Sequence, residues 1–224
     1  MNSKAPGDNK EMVTSRRDFL DKGYYAPLCR ALAEKAGELG GRVYLDAGCG
    51  TGYYTSAVID ALGECVCLGV DISKFATDVA SKREKRASFA VASVYDLPVD
   101  DGSIDIITNV FSPMADGEYR RVLKKGGHLL YVVPAPRHLY SLKELLYDTP
   151  YENEVSYPEY EGFEEIERVE CDFDMTLGSS EDIESLFTMT PYFWRTPQGA
   201  LEKIRATDTL KTRAEFYISV LRRK

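Results

Sequence analysis

The sequence predicts an α/β fold built on a mostly parallel sheet, and three observations lead there. First, five short runs rich in β-branched, aromatic and leucine residues (42–45, 65–70, 89–92, 104–111 and 128–133) alternate with helical stretches, the pattern of strand–helix–strand units with right-handed crossovers. Second, the decapeptide Asp46-Ala47-Gly48-Cys49-Gly50-Thr51-Gly52-Tyr53-Tyr54-Thr55 joins the first run to a helical stretch. Third, the second run ends in an acid, Asp71, which follows Gly52 at close to the roughly 20-residue spacing of a carboxylate that grips a ribose.

Taken in order, the chain opens on a polar stretch and then a helix over about 8–22, with Met12, Phe19 and Leu20 on its apolar side. Gly23 breaks it. A second helix starts at Tyr24-Tyr25-Ala26-Pro27, places Leu28, Leu32 and Ala36 at helical spacing, and ends at Gly40-Gly41. A third covers 54–62. Ser73 is the expected N-cap of a fourth, which runs to about Arg86. A helix containing Glu118, Tyr119, Val122 and Leu123 leads to the turn Lys124-Lys125-Gly126-Gly127, and Pro134 stops the fifth strand. The last third holds a helix over 139–147, an acidic and aromatic loop over 148–161, and a sixth strand over 166–176. A helix follows, capped by Ser179 or Ser180 with acids in its first turn. The chain closes with a helix from 198 to about 207 and a seventh strand over 213–221.

Composition sets bounds. A chain of 224 residues, 44% hydrophobic and 11% aromatic, fits one larger domain or a domain with an appended lobe, with a substantial core. No run of about 18 apolar residues spans a membrane, and residues 1–10 carry no apolar signal region, so a cytoplasmic location is the default. The five cysteines are an odd number without a C-x-x-C pair, so reduced, mostly buried thiols are expected and no metal site. A net charge of −8 disfavours a chain that grips nucleic acid over its whole surface, and leaves room for local basic patches.

Ligands of parallel α/β sheets bind at the carboxyl ends of the strands. Every segment singled out lies at such an end: after Leu45, Val70, Val91, Phe111 and Val133. Glycine at a strand-to-helix turn lets the backbone press against a ligand, with N–H groups at the helix start facing it. The spacing Asp46-x-Gly48-x-Gly50-x-Gly52 is not the dinucleotide G-x-G-x-x-G. It resembles the first motif of Rossmann-like, class I S-adenosylmethionine-dependent methyltransferases, whose sheets end on an antiparallel last strand. That implies seven strands here, with the glycine loop behind the methionine part of the cofactor and Asp71 on its ribose.

A closer resemblance rests on Gly7-Asp8-Asn9-Lys10-Glu11-Met12 and Arg16-Arg17-Asp18-Phe19-Leu20-Asp21-Lys22-Gly23-Tyr24-Tyr25. The glycine loop with its Tyr-Tyr-Thr ending and Gly69-Val70-Asp71-Ile72-Ser73-Lys74 add to it. Pro134-Ala135-Pro136-Arg137-His138-Leu139 and Met189-Thr190-Pro191-Tyr192-Phe193-Trp194-Arg195 are the most specific parts. Together they resemble the ribosomal RNA guanine-N1 methyltransferases of the RlmA and TlrB types, from about Gly7 to the C-terminus. That family also carries an N-terminal zinc ribbon that helps it recognise RNA; by the resemblance, this sequence starts where the ribbon would have ended.

The resemblance implies S-adenosylmethionine as cofactor, leaving as S-adenosylhomocysteine, ribosomal RNA as substrate, no membrane partner, and a homodimer. It implies an N-terminal helical segment, 1–38, packed on a methyltransferase domain, 39–224, with substrate-side insertions at 139–165 and 179–210. By the same resemblance, Asp46, Gly48, Cys49, Gly50, Thr51, Gly52 and Tyr54 form the cofactor loop. Asp71 and Ile72 follow the second strand, and Ser93 and Val94 border the adenine. Asn109 and Phe111 face the transfer side, and Tyr25 and His138 close from outside. The general base is not assigned. Arg16, Arg17, Arg137, Lys143 and Arg195 are candidates for a phosphate-contacting rim. Tyr192, Phe193 and Trp194 either stack on a splayed base or plug the sheet. The competing reading is a small-molecule methyltransferase of the same fold, favoured by the acidity.

Overall fold

The computed structural model describes residues 7–155, 159–194, 196 and 199–224. Helix α1 (Lys10–Asp21) opens on Asn9, whose side chain accepts from the Met12 N–H. Helix α2 (Ala26–Leu39) has Pro27 in its first turn, where a missing N–H costs nothing, and stops at Gly40 with φ 69°. The first half of the sheet then follows: β1 (Val43–Ala47), α3 (Tyr53–Leu62), β2 (Val66–Asp71), α4 (Lys74–Arg83), β3 (Ala87–Val91) and β4 (Ile104–Val110). Ser73 caps α4 by accepting from the Ala76 N–H. This helix ends earlier than the sequence predicts, because the Glu84 carboxylate accepts from the Arg86 backbone and guanidinium and turns the chain out of it. β3 therefore starts two residues before the expected Phe89.

Helix α5 (Asp116–Val122) runs straight into β5 (Leu123–Pro134). The turn expected at 124–127 is instead an irregularity within that strand: Ile104 faces Leu123, while Ile106 faces His128. Gly127 is needed at that point, since a Cβ there would stand 2.9 Å from the Lys124 carbonyl oxygen and 3.0 Å from that of Asp105. Helix α6 (Tyr140–Leu146), strand β6 (Phe163–Leu177), helix α7 (Ser180–Thr188), a 3-10 turn (Pro191–Trp194), helix α8 (Ala200–Arg205) and strand β7 (Leu210–Arg223) complete the order. Ser179, one of the two expected caps, accepts from the Asp182 N–H.

The strands form a seven-stranded sheet in the order β3-β2-β1-β4-β5-β7-β6. Strands β1 to β5 pair in parallel, and β7 lies antiparallel between β5 and β6. The last strand is thus inserted rather than closing the sheet, and β6 is the edge. Its exposed positions include Glu164, Glu165, Glu167, Glu170, Asp172 and Asp174, charges that discourage another chain from pairing there.

Apolar clusters fill both sides of the sheet. One packs α2 and α3 on Tyr44, Ile106, Leu130 and Val132, and the other packs α5 on Leu45, Ile107 and Leu129. Each fully buried Leu or Ile contributes about 1.5–3 kcal/mol. Cys29, Cys49, Cys67 and Cys171 are buried free thiols and Cys65 is half-buried. Among the described residues no helix is long and apolar enough to cross a membrane.

Candidate active site at the carboxyl edge of the sheet

The carboxyl ends of β1, β2, β4 and β5, with the segment after β3, converge on one cleft of about 2060 Å³. The glycine loop is its floor. Its conformation is dictated by sequence: Gly48, Gly50 and Gly52 have φ of 85°, 52° and 73°, the left-handed region that other residues rarely adopt. The Gly48 and Cys49 N–H groups donate to the Val70 carbonyl, fixing the loop to β2. A Cβ on Gly48 would come within 2.5 Å of the Ser112 side chain, so the loop after β4 occupies the space glycine leaves. A Cβ on Gly50 would meet nothing within 4 Å.

Asp71 stands at the end of β2. One carboxylate oxygen accepts from the Gly50 N–H at 2.9 Å and the other from the Ser73 N–H at 2.8 Å. Burial raises its pKa, and those two N–H donors pull it back. Asp46 lies beneath the loop, 2% exposed, and accepts from the Thr55 hydroxyl at 2.5 Å and the Thr108 hydroxyl at 3.1 Å. Burial is the main reason its pKa climbs to about 6. The Cys49 thiol, also buried, is pushed well above its usual range and stays protonated.

Of the residues predicted for the site, Gly48, Cys49, Gly50, Thr51, Tyr54, Asp71, Ile72, Ser93, Val94, Phe111, Tyr25 and His138 all border the cleft. Three stand behind its wall. Asp46 braces the loop as described. Gly52 leaves space for α4, since a Cβ there would lie 3.1 Å from the Ala80 backbone. Asn109 is fully buried and donates to the Pro113 carbonyl and the Tyr119 hydroxyl, while its own carbonyl accepts from the Ser112 N–H.

Two buried hydroxyls that border the cleft, Thr51 Oγ1 and Tyr54 Oη, have no hydrogen-bond partner. Buried polar groups are normally satisfied, so such orphans mark places where a ligand completes the bonding. His138, 7% exposed, accepts from the Glu215 N–H through Nδ1 at 3.2 Å. Its burial and the nearby Lys143 lower its pKa to about 3, so it is neutral with its proton on Nε2. Its ring lies 4.4 Å from that of Phe216, which also packs against Tyr25 and Phe111.

The predicted basic rim is corrected at Lys143. Lys143 is fully buried: its ammonium donates to the Tyr151 carbonyl and to Asn153 Oδ1, and sits 4.4 Å and 5.3 Å from the Tyr151 and Tyr192 ring centroids. Arg137 pairs with Glu152 and Arg17 with Asp18. Arg16 does border the cleft, paired with Asp8. Arg195 and the side chain of Trp194 lie outside the described residues. Tyr192 is buried with its hydroxyl toward Asn153, and Phe193 is half-buried against Phe187, as the plugging alternative requires.

Sequence reasoning missed Ser112, whose side chain fills the space beside Gly48, and Asp8, Met12 and Leu20, which bring α1 to the cleft. The helical spacing of Met12, Arg16 and Leu20 on one side of α1 was the available signal.

Residues 45–127 match a family model described as a methyltransferase domain. The 23S rRNA (guanine(748)-N(1))-methyltransferase of Streptomyces fradiae is 39% identical over 149 residues, covering 64% of this chain and 53% of that one. YxjB of Bacillus subtilis, which also bears a 23S rRNA guanine-N1 methyltransferase name, is 32% identical over 209 residues, covering 87% of this chain and 73% of that one. The chain spans about half the length of the first two curated relatives it matches. Among solved structures, a geranyl diphosphate methyltransferase in complex with SAM superimposes with a TM-score of 0.58 at 18% identity, over 99% of this chain and 93% of that one, a likeness of fold. On identity and shared length the chain belongs to the family of 23S rRNA guanine-N1 methyltransferases.

Proposed function

We propose that the chain is an S-adenosylmethionine-dependent methyltransferase that acts on guanine N1 in large-subunit ribosomal RNA. The observation that carries this reading is the convergence of the glycine loop, Asp71 and the orphaned Thr51 and Tyr54 hydroxyls on one cleft. The residues fit the cofactor. Each Asp71 oxygen accepts one N–H and keeps a second lone pair for a ribose hydroxyl. Thr51, Tyr54 and the Nε2–H of neutral His138 offer donors for the carboxylate of the amino-acid tail. Ile72, Ser93 and Val94 border the space for the adenine.

When bound, S-adenosylmethionine would supply a sulfonium methyl that passes in line to the nucleophile as the thioether leaves. The chain's own residues supply alignment and exclusion of water. Asp71, held by two backbone N–H groups, would hold the ribose, and the loop backbone would support the methionine part. Tyr25, Phe216 and His138 form a dry aromatic wall. Guanine N1 must lose its proton to become a good nucleophile, and the carboxylates of Glu152 and Glu154, which border the cleft, are candidates to accept it. Pairing into a homodimer and a cytoplasmic location complete the reading, the first measurable by sedimentation.

A second reading, a small-molecule methyltransferase, is favoured by the acidity of the outer cleft, where Glu152, Glu154, Glu159 and Glu161 oppose phosphate contacts. Labelled S-adenosylmethionine decides between them. The RNA reading expects label in a transcribed large-subunit hairpin, at guanine N1 by nuclease digestion; label only in small molecules would reject it. Calorimetry should show S-adenosylmethionine binding that Asp71→Ala weakens about tenfold or more, since the bonds lost are to a charged acceptor. Unchanged affinity would reject the cofactor site.

A further inference from the structure

We propose that Phe111 is the platform on which the planar base of the substrate stacks for methyl transfer, positioned by Asn109; the proposal rests on the methyltransferase reading above. Among the described residues only two other than glycine have positive φ, Phe111 at 58° and Leu139 at 54°. Both follow the ends of strands, β4 and β5. Leu139 is explained by packing: it is fully buried in the core and its N–H donates to the Arg213 carbonyl. Phe111 is not. It is 45% exposed, so a bulky side chain in an unfavourable backbone region secures little burial in return. Strain of that kind concentrates at functional sites, where the surroundings over-determine it.

The surroundings here are specific. Asn109 ties the loop after β4 together, with its amide on the Pro113 carbonyl and the Tyr119 hydroxyl and its carbonyl on the Ser112 N–H. Ser112 in turn fills the space beside Gly48. The chain between them has little choice of path, and Phe111 is carried out into the cleft. Its ring packs on one side against Phe216, centroids 5.3 Å apart and tilted 36°, and Phe216 is itself packed on His138 and Tyr25. Phe111 as a whole stays 45% exposed at the cleft.

Its location separates it from the cofactor end. The order β2-β1-β4 puts Phe111 two strand spacings, about 10 Å, from the strand that carries Asp71, across the glycine loop. An open aromatic face on a fixed support is what a splayed nucleobase needs, and stacking tolerates any base because each has a π-face.

The test compares Phe111→Tyr, Phe111→Leu and Phe111→Gly with the unaltered chain. Glycine suits the backbone, so Phe111→Gly should melt at the same temperature or higher, which separates stacking from folding. All variants should bind S-adenosylmethionine within about twofold of the unaltered chain. On a transcribed large-subunit hairpin, Leu and Gly should lower kcat/KM by about tenfold or more, and Tyr should stay within about threefold.

A measurement independent of turnover is saturation-transfer NMR of guanosine with protein loaded with S-adenosylhomocysteine. The purine proton should saturate with the unaltered chain and with Tyr, and lose most of that signal with Leu or Gly. Adding Asn109→Ala to Phe111→Gly should lower it no further, although Asn109→Ala alone does. Equal guanosine saturation in the unaltered chain and Phe111→Leu, or none in either, overturns the platform. A hairpin that takes no label while guanosine still stacks overturns the RNA assignment and leaves Phe111 standing.

Discussion

Asp46→Asn should make the protein more stable near neutral pH and change nothing in the layout of the site. Asp46 is a buried carboxylate beneath the glycine loop, with two threonine hydroxyls as partners and no cation. Burial lifts its pKa from 3.8 to about 6, with the negative charge of Asp71 adding to the effect. An acid whose folded pKa is raised stabilises nothing when ionised: the folded state loses free energy as pH climbs from about 4 to about 6, and the loss is complete above that. The size is about 3 kcal/mol at one pKa unit per 1.36 kcal/mol. Asparagine keeps the shape: one threonine hydroxyl goes on donating to the amide oxygen, and the other turns to accept from the amide N–H. Urea unfolding at about pH 7.5 and about pH 4 gives four stabilities, and their double difference isolates Asp46. The variant should gain about 2 kcal/mol on the unaltered chain between the two pH values. Neither profile alone is diagnostic, because His138 works in the opposite direction. Its folded pKa of about 3 lies below the unfolded 6.5, so stability is lost as pH falls from about 6.5 to about 3 in both proteins. A double difference near zero would refute the reasoning, and would mean that the threonine hydroxyls hold Asp46 at its ordinary pKa.

Two further outcomes follow from the same geometry. Gly48→Ala should cost about 2 kcal/mol or more, because it strains a φ of 85° and drives a Cβ within 2.5 Å of Ser112; Gly102→Ala, equally left-handed at φ 59° but with no atom within 4 Å, should cost about 1 kcal/mol by thermal melting. Lys143→Met should shift the melting temperature by only a few degrees, since losing a buried charge offsets losing two hydrogen bonds, yet it should expose residues 148–155 to limited proteolysis.

Much of the glycine-loop side of the cleft was legible because its signals are local. Left-handed glycines, an acid at the end of a strand and a serine cap each act on the backbone within a few residues, and all stand where the spacing put them. What escaped the sequence depends on distant partners. The place of β7 between β5 and β6 is set by pairing across the whole C-terminal third, which no local pattern encodes. The run 124–127 has the composition of a turn, and only the register of β4 against β5 makes it a bulge. Lys143 reads as a solvated cation, because the rings that enclose it come from Tyr151 and Tyr192. A signal was present, since Leu139, Leu142, Lys143 and Leu146 share one helical face and the other three are buried. Phe111 was expected at the site, but its left-handed backbone follows from the Asn109 bonds, not from any residue type nearby.

These bonds also divide the cleft into two kinds of wall. On one side, Val70 holds the Gly48 and Cys49 N–H groups, Asp71 holds Gly50, Ser112 fills the space beside Gly48 and Asn109 holds Ser112. Three strand ends are thereby joined by hydrogen bonds and packing, so the entropy of ordering them is lost at folding rather than at binding. Methyl transfer has a good leaving group, so alignment is most of what a protein can add, and those joined strand ends are where alignment is needed. On the other side, residues 151–153 are tied through Lys143 and through Asn153, which bonds the Ala135 and Pro136 carbonyls. That wall carries the exposed carboxylates and an exposed Tyr151. On the reading proposed above, changes at Phe111 and in the 148–155 wall should redirect the acceptor while the cofactor continues to bind.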